Sequence, residues 1–198
     1  MTLRLLIGTA NAGKGAEYRR ILAGLDLELV GVDELDDAPA EPAEDAPTYA
    51  ENAVAKARAY LEATGIATLA DDSGLEVAAL GGAPGVRSRR YFGEDVPAEQ
   101  RNRMLLALLD GIKERSARFV CVAALALRDG TVETFSGEVR GEIATAPSGA
   151  AGFGYDPVFV IAGDGRAMAE LSAEEKDRLS HRGLAGAKLR ARLSGEPR

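Results

Sequence analysis

Cysteine, histidine and tryptophan are almost missing from this chain of 198 residues, which has one cysteine, one histidine and no tryptophan. A single cysteine excludes an intramolecular disulfide and a cysteine-rich zinc site. A single histidine, His181, excludes a multi-histidine metal centre. Cys121 lies in the apolar run Phe119–Ala123, which predicts a small core residue rather than a catalytic thiol.

An excess of positive charge is also missing, because 24 Lys and Arg against 31 Asp and Glu give a net charge of −7. This balance argues against a surface for nucleic-acid polymers or anionic membranes. No apolar run approaches membrane-spanning length, and the first residues lack the apolar region of a signal peptide. We therefore expect a cytoplasmic protein. Residues 1–198 suit one domain, or one domain with a smaller lobe.

Two adjacent carboxylates, Asp71 and Asp72, follow the small apolar segment Ala67–Ala70. The segment predicts a short buried strand that ends in a turn at Ser73 and Gly74. Because side chains alternate along a strand, the two carboxylates should point in opposite directions. One can then brace the turn while the other faces the crevice outside the strand end, where α/β proteins bind ligands. An ordinary surface turn is the alternative interpretation.

A second candidate site follows the apolar strand predicted over Leu3–Ile7. A small polar loop, Gly8–Lys14, leads into an amphipathic helix, and this layout presents backbone N–H groups to a phosphate. The glycine and lysine spacing excludes a Walker A loop. A plain strand–helix turn with a solvated Lys14 is the competing interpretation.

The segment Asp33–Pro47 holds seven carboxylates and three prolines, which predicts a flexible loop. Glu44 is its best-placed candidate metal ligand. Thr48 and Glu51 form a capping box for a helix that runs to about Thr64 and stops at Gly65. On this helix Lys56 is either a solvated lysine or, because the helix leads into the Asp71–Asp72 strand, a functional one.

Three further elements complete the predicted framework of the chain. Pro97 opens a helix whose buried face is predicted to carry Met104, Leu105, Leu108 and Leu109. Strands over Phe119–Leu127 and Thr131–Ile143 are joined by an Asp-Gly hairpin turn, so the sheet should be mixed.

The loop Ser148–Phe159 interleaves glycines with aromatic rings and a carboxylate. Such a loop suits stacking on a flat ligand, although a bulged strand with core aromatics is the alternative. A second capping box at Ser172 starts a short helix that carries Lys176. His181 and Arg182 then open the last helix, either as structural residues or as a pair of donors for a ligand.

Together these segments resemble the inosine triphosphate pyrophosphatase family, also called XTP/dITP diphosphatases, which hydrolyse non-standard purine nucleoside triphosphates. The resemblance runs from about residue 3 to residue 193 in the family's order. Its segments are Thr9–Lys14, Thr48–Ala53 with Lys56 and Ala57, Ala70–Leu75, Gly81–Gly85, Ser88–Tyr91, Gly152–Pro157 and Ser180–Arg182. Ala10 stands where the family usually has glycine, and Arg89 where alanine is common.

The resemblance implies an elongated α/β fold with a long twisted mixed sheet flanked by helices. It further implies two lobes with a nucleotide cleft between them, a homodimer and a requirement for Mg²⁺. The implied reaction converts a nucleoside triphosphate and water into the monophosphate and pyrophosphate, with ITP, dITP and XTP preferred.

The resemblance also implies roles for individual residues. Asp72 is the proton acceptor, supported by Asp71, and Asp72 and Glu44 are the metal ligands; whether Asp72 serves as ligand, base or both stays open. Lys56 and Lys14 neutralise phosphate charge. Thr9, Asn11 and the loop backbone through Ala10, Ala12 and Gly13 hold the phosphates, and Ser73 is a further substrate-binding residue. The base-binding residues are Phe153, Gly154, Tyr155, Asp156, Lys176, His181 and Arg182.

A donor-lined pocket of this kind accepts a 6-oxo purine and rejects a 6-amino purine, because adenine would leave buried donors unpaired. Three alternatives stay open: a pyrophosphatase for pyrimidine or methylated nucleotides, a non-catalytic nucleotide-binding protein, and a protein-interaction domain. A Nudix hydrolase is excluded because its glutamate-rich helix signature is absent from the sequence.

Overall fold

In the computed structural model, residues 2–195 are described and form six strands and five α-helices around one sheet. The strands are β1 (Leu3–Ile7), β2 (Leu27–Gly31), β3 (Ala67–Val77), β4 (Ser116–Ala126), β5 (Val132–Ile143) and β6 (Phe159–Ile161). The helices are α1 (Ala12–Ile21), α2 (Tyr49–Thr64), α3 (Ala98–Leu108), α4 (Ala173–Leu179) and α5 (His181–Ser194).

The strand order is β2-β1-β3-β4-β5-β6. Strand β1 pairs in parallel with β2 and β3, whereas β5 and β6 pair antiparallel. The α/β class and the mixed sheet predicted from the sequence are therefore confirmed.

The chain divides into two compact units. Unit 1 comprises the residues up to Asp72, Cys121–Gly137 and the residues from Arg182 onward, and unit 2 comprises Ser73–Val120 and Glu138–His181. Each unit has a buried apolar cluster, around Leu5, Leu69 and Leu189 in unit 1 and around Leu105, Val158 and Phe159 in unit 2. The single domain and the nucleotide cleft stay predictions.

Helix α2 has the ends that the sequence predicts. The Thr48 hydroxyl accepts a hydrogen bond from the Glu51 backbone N–H, and Gly65 stops the helix in a left-handed conformation with φ of 67°. Ala53 and Ala57 are fully buried, and their small side chains let the helix pack closely. The positions of Asn52 and Lys56 are therefore set by strong local signals.

Strand β3 continues through Asp71–Gly74, so the predicted turn at Ser73 and Gly74 is wrong. Gly74 does not adopt a positive φ, and the next residue along, Leu75, donates its backbone N–H to the Ser88 hydroxyl. It is β1 that ends here, since its last residue, Ile7, pairs with Leu69. The carboxylates therefore lie beside the carboxyl end of β1, on a strand that extends past it.

Helix α3 buries a different face from the predicted one. Leu105 and Leu109 are fully buried as expected, but Met104 and Leu108 are 36% and 49% exposed. The buried side chains follow positions 102, 105 and 109, which share one helical face, and position 102 is an asparagine. Because apolar residues lie on more than one face of this helix, the sequence pattern did not show which face is buried. None of the helices within residues 2–195 is both long and apolar enough to cross a membrane.

Candidate active site

The loop after β1 is shaped by its own side chains. The Thr9 hydroxyl accepts from the Asn11 backbone N–H at 3.2 Å, and the Asn11 side chain caps α1 by accepting from the Lys14 N–H at 3.1 Å. Gly8 starts the loop, and a Cβ there would lie 2.8 Å from the Tyr60 ring. Ala10, Asn11 and Ala12 are exposed. The loop thus offers an accessible backbone at a helix N-terminus, as phosphate binding requires.

Asp71 is fully buried among positive charges. Its Oδ1 lies 3.2 Å from the Lys14 ammonium, and its Oδ2 accepts from Arg182 Nε and Nη2 at 3.1 and 2.9 Å. Burial opposes ionisation, but Lys14, Arg182 and Lys56 outweigh it and hold the pKa of Asp71 well below its usual range. Asp71 is therefore a fixed negative charge that orients cations.

Arg182 bridges two buried carboxylates. Its Nη1 donates to Glu17 at 2.7 Å while Nε and Nη2 hold Asp71, and the side chain is 1% exposed. Glu17 is 4% exposed. A buried arginine needs such pairing to offset its lost hydration. The Arg182 donors, which were predicted to meet the base, are thus engaged with carboxylates in unit 1, and a base contact for Arg182 stays a prediction.

Asp72 faces the other way, towards α2, as strand alternation predicts. Its Oδ2 accepts from Asn52 Nδ2 at 2.8 Å, and the residue is 3% exposed. Burial, reinforced by the negative charge of Glu44, raises the pKa of Asp72 to about 6. Asp72 therefore holds a proton more tightly than an ordinary aspartate, and Asp71 holds one less tightly.

The acidic segment folds back onto α2 instead of remaining fully solvated. Lys56, 1% exposed, donates to Glu44 and lies 4.0 Å from Glu41. Asn52 fixes the segment from the same helix face, since its amide exchanges hydrogen bonds with the Ala46 backbone N–H and carbonyl. Burial lowers the pKa of Lys56, but the charges of Asp71 and Glu44 outweigh it and raise the pKa.

The residues predicted to hold a metal suit a cation that takes few protein ligands. Glu44 is close enough to Asp72 to raise its pKa, and an oxygen-binding cation would relieve that repulsion. Within residues 2–195 no group of three or more His, Cys, Asp or Glu side chains could hold a metal. Mg²⁺ needs only one or two carboxylates when substrate phosphates complete its coordination. The donor set therefore fits Mg²⁺.

In unit 2, Lys176 contacts two residues of the predicted base-binding loop. Its ammonium donates to Asp156 Oδ2 at 2.6 Å and lies 4.5 Å from the centre of the Phe153 ring. The same carboxylate oxygen accepts from the Phe153 backbone N–H at 2.7 Å. Lys176 and Asp156 are both buried, while Phe153 is half-buried. An aromatic face beside a buried ion pair can bind a flat polar ring.

Tyr155 and His181 are packed more deeply than a binding surface requires. Tyr155 is 4% exposed and its hydroxyl donates to the Ser88 carbonyl at 3.0 Å, while burial raises its pKa to about 12. The His181 ring stacks on Phe119 with centroids 4.6 Å apart. Ser73 is half-buried on β3, directly after Asp72. Base contacts for Tyr155 and His181 stay predictions.

Comparison with known proteins identifies the family. A sequence model described as the Ham1 family matches residues 5–192. This chain belongs to the Ham1 family. The dITP/XTP pyrophosphatase of Symbiobacterium thermophilum is 49% identical over 96% of this chain and 94% of its own length. That of Streptomyces avermitilis is 50% identical and covers 92% of both chains.

Solved Ham1 structures have the same fold. A HAM1 protein from Coxiella burnetii superposes with a TM-score of 0.88 at 38% identity, covering 98% of this chain and 99% of that one. A nucleoside-triphosphatase, or dITP/XTP pyrophosphatase, from Mycobacterium abscessus gives 0.74 at 41% identity, covering 94% and 98%. The family predicted from the motifs is therefore confirmed.

Four residues of this Ham1 site were not predicted from the sequence: Glu17, Glu41, Asn52 and Cys121. Glu17 carried a usable signal, because it lies one helical turn after Lys14 and so shares its face. Asn52 lies four residues before Lys56 on α2, which is the same signal. Cys121 was expected in the core, and its thiol does lie there, 3.5 Å from Asp71 Oδ2. Nothing local distinguishes Glu41 from its acidic neighbours.

Proposed function

We propose that this chain hydrolyses ITP, dITP and XTP to the nucleoside monophosphate and pyrophosphate. The proposal rests on two adjacent carboxyl groups whose pKa values are shifted in opposite directions. Asp71 is locked as an anion between Lys14 and Arg182, whereas the pKa of Asp72 is raised to about 6. Neighbouring groups whose environments separate their pKa values are typical of acid–base catalysis.

In the proposed reaction Asp72 accepts a proton from the attacking water. The water oxygen forms a bond to the α-phosphorus, the bond from that phosphorus to the α–β bridging oxygen breaks, and pyrophosphate leaves with the electron pair. A base with a pKa just below neutrality is ionised at physiological pH and still basic enough to take the proton. Asp71 contributes by orienting Lys14, whose ammonium neutralises charge on the phosphates.

Glu44 would hold Mg²⁺ together with the substrate phosphates, and the ion would supply a positive charge that neutralises the triphosphate and orients it for attack. Asp72, the other metal ligand predicted from the sequence, acts in this proposal as the base. The loop Thr9–Lys14 binds phosphate through its backbone N–H groups and the N-terminus of α1. Lys56 adds a second positively charged side chain, close to Asp71 and Glu44. Unit 1 therefore carries the phosphate chemistry.

Unit 2 carries the base selection in this proposal. The exposed part of the Phe153 ring stacks on the purine, and Lys176 offers a donor to the 6-oxo oxygen. Adenine presents an amino group there, so its binding would place that amino group and the Lys176 ammonium, both hydrogen-bond donors, against each other with no acceptor between them. We further propose that the enzyme is a homodimer and works in the cytoplasm, where nucleotide pools are used.

The test is pyrophosphate release from ITP, XTP, GTP, ATP and dTTP, each with Mg²⁺ and with EDTA. We expect Mg²⁺-dependent turnover of ITP and XTP far above the other three. Asp72→Asn should reduce turnover by about 10²-fold or more, the size typical of losing a general base. Strong dTTP turnover would show that the substrate is a pyrimidine nucleotide instead of a purine nucleotide. No turnover of any nucleotide would favour a non-catalytic nucleotide-binding protein.

A further inference from the structure

Helix α3 presents a polar side chain to the core of unit 2. Asn102 is 4% exposed and shares its helix face with the fully buried Leu105 and Leu109. A buried amide is unfavourable unless its polar atoms find partners, whereas an apolar side chain of similar size fills the space without that cost. Packing alone therefore does not explain why position 102 is an asparagine.

The reason lies in one hydrogen bond. Asn102 Nδ2 donates to the Gly154 carbonyl at 3.1 Å. Its Oδ1 is buried and has no hydrogen-bond partner among residues 2–195. Turning the amide over would place that oxygen against the Gly154 carbonyl, so the donated bond fixes the orientation. In this orientation Nδ2 holds the Gly154 carbonyl, and Oδ1 is left without a hydrogen bond within residues 2–195.

Gly154 is the central residue of the loop that carries Phe153 and Asp156. It adopts a left-handed conformation with φ of 65°, and a glycine loses more backbone freedom on ordering than any other residue. The flanking residues are anchored separately, Tyr155 through Ser88 and Phe153 through Asp156. Asn102 is the side chain that holds the Gly154 peptide between these anchors.

We propose that Asn102 is a positioning residue for base selection. It fixes the Gly154 peptide, and through it the separation between the Phe153 ring and the Lys176–Asp156 ion pair that the purine must meet. The inference rests on the proposed function, and it adds a determinant on α3 that does not itself touch the base. Releasing the peptide should loosen base binding and leave the chemistry at Asp72 unchanged.

The variants are Asn102→Leu, which keeps the volume and removes the bond, and Asn102→Asp, which places a carboxylate against the Gly154 carbonyl. Arg103→Ala is the matched control, because its side chain is 61% exposed on the same helix and pairs with Glu99. We expect both Asn102 variants to raise KM for ITP about fivefold to tenfold, as one lost hydrogen bond allows, with kcat within about twofold. The preference for ITP over ATP should fall, and the control should match the wild type.

Amide hydrogen exchange of the full chain supplies a readout that needs no turnover. Faster exchange over Phe153–Asp156 in Asn102→Leu, and not in Arg103→Ala, supports the proposal together with the KM change. Unchanged exchange in that loop overturns it, as does a lower melting temperature with KM and selectivity unmoved, which would make the role purely structural. If the wild type hydrolyses no nucleotide, the proposed function and base selection fall together. The exchange rates then still show whether Asn102 holds the loop.

Discussion

At the scale of single residues, Asp71 and Asp72 show how environment divides two identical side chains. Asp71 meets Arg182 and Lys14 on one face of β3, and Asp72 meets Asn52 on the other. The alternation of side chains along a strand is enough to send them to these opposite surroundings. What those surroundings contain decides that one is a fixed anion and the other a titrating group.

Asp72→Asn should make the Mg²⁺-free protein more stable at pH 8. The pKa of Asp72 is raised in the folded state from 3.8 to about 6, so the folded protein holds this proton more tightly than the unfolded chain. Ionised Asp72 therefore costs stability above pH 6, and the cost disappears as the pH falls below about 4. We expect a gain on the order of 1 to 3 kcal/mol, measured by urea unfolding in EDTA. A variant less stable than the wild type at pH 8 would contradict the raised pKa.

Asp71→Asn is the matched change and should act in the opposite direction. The pKa of Asp71 is depressed, so its charge stabilises the folded protein at neutral pH, and this contribution is lost only as acid protonates the group. Removing the charge takes away a buried carboxylate partner of Arg182, which should cost about 3 to 5 kcal/mol. The same urea series at pH 8 measures it. Equal stabilities for Asp71→Asn and the wild type would show that the ion pairs contribute no net stability.

At the scale of elements, the site depends on how closely three segments of unit 1 approach. Strand β1 ends at Ile7, and the Gly8 N–H donates to the Leu69 carbonyl of β3 at 2.7 Å. The Tyr60 ring of α2 packs against the same point. The loop proposed to bind phosphate therefore starts from a position where only glycine fits.

Gly8→Ala should lower both stability and activity. Its Cβ would lie 2.8 Å from Tyr60 and 3.0 Å from Thr68, and both neighbours are buried, so the loop must shift. We expect a loss of about 1 to 3 kcal/mol, as for overpacking, together with a higher KM for ITP. Thermal unfolding and steady-state kinetics measure the two effects.

Gly15→Ala is the control for that change. A Cβ at Gly15 meets nothing within 4 Å, and the residue lies inside α1, where alanine is favoured over glycine by about 1 kcal/mol. This variant should be at least as stable as the wild type and fully active. Similar damage from both substitutions would show that the close approach at Gly8 is not the cause.

At the scale of the whole molecule, two properties matter: the net charge and the proposed homodimer. The excess of carboxylates is spread along the sequence, but cations are concentrated at the buried carboxylates of unit 1. A net charge of −7 therefore coexists with a site for polyanionic substrates.

Sedimentation equilibrium should give twice the chain mass of 20.7 kDa at micromolar concentrations, as the proposed homodimer requires. The measurement should be repeated in EDTA, because no metal is invoked in the association. A mass of one chain in both conditions would refute the dimer without affecting the proposed chemistry.

The sequence alone predicted the local structure well and the partners of its charged residues poorly. The capping box at Ser172, the Thr48 cap and glycine stop of α2, and the Asp-Gly turn act within a few residues, so they could be read directly. At Thr48 the Glu51 carboxylate accepts from the hydroxyl, so the full capping box predicted there does not form. The turn at Ser73 and the buried face of α3 were mispredicted, because strand continuation and helix rotation depend on neighbours that are distant in sequence. Arg182 and Asp71 are 111 residues apart.

The sequence by itself determined the family, the α/β class with its mixed sheet, the ends of α2 and the candidate groups for the chemistry. Those properties follow from residue types and short spacings, which exist before the chain folds. Only the tertiary structure decided which groups are brought together: Arg182 with Glu17 and Asp71, Glu44 with Lys56, and Asn102 with Gly154. Burial and charge pairing set pKa values and orientation, and both depend on contacts that form only when distant segments pack.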